Sequence, residues 1–95
     1  MNNLITLEKL NKYFSITKEA LDKAEKALDE KRLEHARDFF NMAFSYYSDA
    51  KYFFTEKQDY VLAFAALNYA HGWLDAGARI GLFKVKDSRL FTVDD

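Results

Sequence analysis

Cysteine and proline are both missing from these 95 residues, and glycine occurs only three times. Without cysteine there is no disulfide framework and no thiolate metal site, a composition suited to a reducing cytoplasm. The three glycines, Gly72, Gly77 and Gly81, fall within one stretch that reads as a helix, so no phosphate-cradling loop can be built from them. Neither a nucleophile elbow nor an HExxH pair is present. The longest uninterrupted apolar run, Val61 to Leu67, is too short to span a bilayer. The opening residues MNNLITLEKL have neither a basic start nor an apolar core, and no secretory leader is expected. Net charge is −1 with the two signs interspersed, so no footprint for nucleic acid or anionic lipid stands out.

What is abundant is apolar and aromatic: 49% of residues are hydrophobic and 17% aromatic, which excludes disorder and allows a single domain over 1–95 with a real core. Leu7, Leu10, Phe14, Leu21, Ala24 and Leu28 recur at alternating steps of three and four, with Thr17 in the one polar slot. That period predicts a helix over about 4–28. Its outer face carries the acid-before-base pairs Glu8–Lys12, Glu19–Lys23 and Asp22–Lys26, and reads as a solvated face. The register jumps across Asp29-Glu30-Lys31-Arg32, a turn, and Leu33, Ala36, Phe40, Ala43, Tyr47, Ala50 and Phe54 restart it over about 32–55. A parallel row, Phe39, Tyr46 and Phe53, widens that apolar face enough to touch two neighbours.

After the break Thr55–Gln58, Asp59 is placed to cap a third helix over about 59–82. Here Ala63, Ala66, Ala70, Gly77 and Gly81 fall along one line, which predicts close packing at the two glycines or a helix end near one of them. With a single narrow polar stripe, this helix is expected to be nearly buried. Short connections make sequential helices antiparallel. The expected fold is therefore all-α, an antiparallel up-down-up three-helix bundle. A short extended C-terminal tail over 84–95 follows, in which Leu90, Phe91 and Val93 dock on the bundle or on a neighbouring molecule.

Through YYSDAKYFF (Tyr46 to Phe54) and DYVLAFAALNYAHGWLDAGARIGLF (Asp59 to Phe83), the sequence resembles an uncharacterised archaeal family of short helical proteins, domain of unknown function 357. Tyr47, Asp49, Ala50, Asp59, Tyr60, Ala63, Ala70, Leu74, Asp75, Gly77 and Gly81 carry the resemblance, which extends to the LFTVD ending. It implies a helical bundle in an archaeal cytoplasm and brings no activity. A looser likeness to the second helix of a tetratricopeptide unit lacks the second copy such a unit needs. There is also an overall likeness to helical nucleotide-binding domains of prokaryotic defence systems. The Arg-then-His spacing of their ribonuclease members has no counterpart after Arg32, Arg37 or Arg79.

The candidate chemistry lies on the stripe Asn68, His71, Asp75 and Arg79. A carboxylate one turn from an imidazole can fix its tautomer and make it a general base, which names His71 and Asp75 as catalytic candidates. The same residues can equally form a satisfied polar stripe that sets helix register. If the second and third helices form a hairpin turning near Lys57, Asn41, Ser45 and Asp49 come opposite, and one polar seam could hold Asn41, Ser45, Asp49, Asn68, His71 and Asp75. His71 with Asp49 and Asp75 has plausible metal-ligand types, but the paired Glu-x-x-His of di-iron bundles is missing. No metal and no cofactor is expected. The reading these features favour is a small cytoplasmic helical interaction or scaffolding module, with a homodimer or another protein as partner and neither membrane nor nucleic acid. Sixteen aromatics (nine Phe, six Tyr, one Trp) are many for three helices to hide, so Phe39, Tyr46 and Phe53, or Phe91, are expected to be shared between copies. The alternative is a small-ligand-binding or hydrolytic domain using the stripe.

Overall fold

The computed structural model describes residues 4–92. Val93, one of the apolar tail positions, lies outside them. Among the described residues there are three α-helices and no strand: α1 (Leu7–Glu25), α2 (Leu33–Thr55) and α3 (Tyr60–Arg79).

Helix α1 starts three residues later than its period suggests because Thr6 is the cap, its hydroxyl accepting from the Lys9 N–H at 3.1 Å. It also ends early. Ala27 and Leu28 leave the helix to pair with the chain after α3: the Lys84 N–H donates to the Ala27 carbonyl at 2.7 Å and the Asp29 N–H to the Leu82 carbonyl at 2.8 Å. These bonds satisfy backbone groups that a buried turn would otherwise leave unpaired. At the other connection Asp59 caps α3 as expected, accepting from the Leu62 N–H at 3.0 Å.

Helix α3 packs along α2 and also against α1, while α1 and α2 meet chiefly where Phe14 touches Tyr47 and Phe54. The ring pairs Phe39–Trp73, Tyr46–Tyr69 and Phe54–Tyr60 run in opposite directions along α2 and α3, which makes that hairpin antiparallel. Tyr13 against Phe64 sets α1 beside α3 in the same sense, completing an up-down-up three-helix bundle. Alanine lines the seams: Ala20, Ala24, Ala43, Ala50, Ala63 and Ala70 are fully buried, so the backbones approach closely. Leu10, Leu67 and Leu74 fill the spaces between, each contributing about 1.5–3 kcal/mol through burial.

Two expectations for α3 are corrected here. Gly77 is a tight site, but what fills it is not another helix. A Cβ on Gly77 would lie 2.3 Å from Cε2 of Phe83, whose ring folds back over the helix end. Gly81 is not helical at all. Its φ of +78° lets the Leu82 N–H reach the Gly77 carbonyl at 2.8 Å and its own N–H reach that of Ala78 at 3.2 Å, the two bonds of a Schellman stop. Nor is α3 nearly buried. Eight of its twenty residues are exposed, and six of those eight are Val61, Leu62, Ala65, Tyr69, Gly72 and Ala76. Two neighbours on one side of a helix leave the other side open, whatever its polarity.

The turn between α1 and α2 carries a buried carboxylate, Asp29. It accepts from Arg32 Nε at 2.7 Å and from the Lys31 N–H at 3.1 Å, and these bonds hold it below the usual carboxylate range. Asp87 in the tail is lowered in the same way, first by Lys23 and then by the Arg89 N–H. Both carboxylates are more acidic folded than unfolded. Their stabilisation is therefore complete above the unfolded value of about 4 and is lost as pH falls through the folded values. Urea midpoints should fall below about pH 4, and the Asp29→Asn, Asp87→Asn double variant should show a flatter acid limb. An acid limb as steep as the parent's would mean that other carboxylates dominate it.

Candidate functional site

Helix α3 turns its polar stripe toward the tail. After Phe83 the chain runs extended as far as Asp87, which caps a turn: its Oδ1 accepts from the Arg89 N–H and its carbonyl from the N–H groups of Leu90 and Phe91. That turn drives Leu90 and Phe91 into the bundle, where both are buried. Phe91 is thus covered by its own chain and is not a surface to be shared between copies.

The stripe residues hold the tail in place. His71 Nε2 lies 2.6 Å from the Leu90 carbonyl, and since a carbonyl only accepts, Nε2 carries the proton. Asp75 accepts from the Thr92 N–H at 2.8 Å and from its hydroxyl at 3.2 Å. Ion pairs fasten the outer side, Lys23 to Asp87 at 2.8 Å and Arg89 to Glu19. The His71–Asp75 separation is 3.8 Å, too long for a hydrogen bond. The tautomer of His71 is therefore fixed by the Leu90 carbonyl rather than by the carboxylate expected from their one-turn spacing.

Asn68, His71 and Asp75 do come together, beside Tyr13, Thr17 and Arg89, around a cleft of about 390 Å³ between α1, α3 and the tail. The α2 residues do not join them. Asn41, Ser45 and Asp49 are exposed, and Asn41 borders a separate depression with His35, Arg37 and Asp38 at the start of α2. The α2–α3 register lies close to the expected one, but the faces in contact are aromatic, Phe39 on Trp73 and Tyr46 on Tyr69, which turns the polar face of α2 outward. Arg79 is exposed at the end of α3. Among the described residues no group of three His, Asp or Glu side chains is placed to hold a metal ion.

The sequence reading missed Thr92, Asp87, Arg89 and Lys23. The Asp-Ser-Arg run at 87–89 is itself a turn signal, but nothing local says which helix the turn faces. Asp75→Ala should cost about 1–2 kcal/mol, the worth of charged hydrogen bonds discounted for partial exposure. The urea midpoint reads it, and an unchanged midpoint would show that Asp75 does not hold the tail.

A second feature has no counterpart in the polar expectations. Tyr69, Gly72, Trp73 and Ala76 of α3, with Phe39 of α2, line an open apolar groove of about 640 Å³.

Against known proteins, the model of a family described as "Protein of unknown function (DUF357)" matches residues 12–83. The match covers α1 from its second turn through to Phe83 and stops before the tail that docks on the stripe. No curated protein and no solved structure matches.

Proposed function

The chain belongs to the DUF357 family of proteins of unknown function, and from that premise we propose that it is a small helical interaction module that associates with a second copy of itself. One observation carries the reading: the outer face of α3 is exposed and apolar over its whole length, with Val61 67% and Tyr69 63% accessible. Helices with one solvated face normally present charge there, and a contiguous apolar surface of this kind marks an interaction site. A protein partner fits better than a nucleic acid or a bilayer. Charges of both signs are interspersed, and no described helix is long and apolar enough to cross a membrane. A cytoplasmic, archaeal setting belongs to the same proposal, and the absence of cysteine suits it.

What favours the module over a ligand-binding or hydrolytic site at Asn68, His71, Asp75 and Arg79 is the occupancy of that stripe. His71 and Asp75 already make hydrogen bonds to tail backbone, which leaves the central pair without a free general base. Sedimentation velocity from micromolar to millimolar concentration tests the reading. The sedimentation coefficient should rise with concentration toward that of a dimer, and a monomer at every concentration would remove self-association.

A further inference from the structure

Resting on that reading, we infer that two copies pair through α3 in antiparallel orientation, about a two-fold axis passing between Tyr69 and Gly72. The exposed residues along the centre of the face are Val61, Ala65, Tyr69, Gly72, Ala76 and Ile80. Their spacing is four, four, three, four, four, which reads the same from either end. A two-fold axis perpendicular to the helix maps the stripe onto itself in reverse. Val61 then meets Ile80 of the partner copy, Ala65 meets Ala76, and Tyr69 meets Gly72. Branched side chains pair with branched, small with small, and the one large ring with the one residue that has no side chain. A self-complementary patch of this kind is what a two-fold interface requires.

The surroundings of Gly72 support the match. A Cβ there would meet nothing within 4 Å, and the groove it opens toward Phe39 and Trp73 has room for an incoming ring. Tyr69 is held ready, its ring stacked on Tyr46 at 5.2 Å, so little freedom is lost on docking. None of the six residues carries charge, so two identical faces meet without repulsion. Parallel pairing would instead put Tyr69 on Tyr69 and leave a gap at the glycines. The stripe is about 28 Å long and one helix face wide, a footprint of roughly 300 Å² against about 800 Å² per partner in a typical stable interface. The dimer therefore belongs to the weak class, and the experiment needs high protein concentration.

The chain has no cysteine of its own, so single-cysteine variants of the full chain report the geometry directly. Under mild oxidation, Gly72→Cys should cross-link with itself, because it lies next to the axis. Val61→Cys and Ile80→Cys should each stay uncross-linked alone, their copies being about 28 Å apart, but should link to each other when mixed. Ala76→Arg should keep the parent's circular dichroism melt in dilute solution and abolish both dimer and cross-links. Self-linking of Val61→Cys would show a parallel pair and overturn the inference. A dimer by sedimentation with none of the expected links would overturn the register while leaving self-association standing, and a monomer throughout would sink both.

Discussion

Phe83→Ala is expected to remove about 3–5 kcal/mol of stability, the usual cost of deleting a fully buried phenylalanine. For a domain of this size that is a fall in melting temperature of at least about 12 °C. Phe83 is 1% exposed and packs where three features meet: the glycine stop of α3, the bridge to Leu28, and the backbone of Gly77. The last contact can be isolated. Gly77→Leu should cost about 1–3 kcal/mol or more, because even its Cβ would overlap the ring. Gly77→Ala should destabilise the parent, yet become neutral or gain up to about 1 kcal/mol of helix propensity once Phe83 is alanine. The double-mutant cycle measures that coupling. Equal cost in both backgrounds would mean that Gly77 and Phe83 do not compete for the same space.

How much of this the sequence discloses depends on which residues made contact with which. The three helices were legible because their periods are set locally, and so was the Asp59 cap. The end of α1 was not. Leu28 continues the apolar period of α1, but the backbone there pairs with residues more than fifty positions away, and periodicity cannot report such a partner. The small line Ala63, Ala66, Ala70 and Gly77 was read correctly as a close approach; the Phe83 ring that fills its end lies past a helix stop visible only as a positive φ at Gly81.

The stripe was legible as residues and not as a role. His71 and Asp75 sit one turn apart, the spacing of a dyad, but each bonds the tail and neither bonds the other. The exposed face of α3 was hidden for a related reason. Its composition says buried, and the count of neighbours decides otherwise: two helices on one side cover one side. The apolar remainder becomes either a liability or an interface, and its reversed symmetry about Tyr69 and Gly72 favours the interface.

Phe91→Ala separates folding from assembly. Phe91 is 2% exposed and is covered by its own chain, through a turn capped by Asp87 and bonds from His71 and Asp75 to its neighbours Leu90 and Thr92. Truncation of a buried phenylalanine costs about 3–5 kcal/mol when the site unfolds with the whole domain. If the tail lets go before the helices do, the loss stops at the free energy that holds the tail down. Either way the effect is intramolecular. The fall in melting temperature should be the same in micromolar and in millimolar protein, and tryptic cleavage after Lys86 and Arg89 should accelerate under native conditions. A loss of stability that shrinks as protein concentration rises would place Phe91 between copies instead, and an unchanged cleavage rate would mean the tail stays docked without its ring.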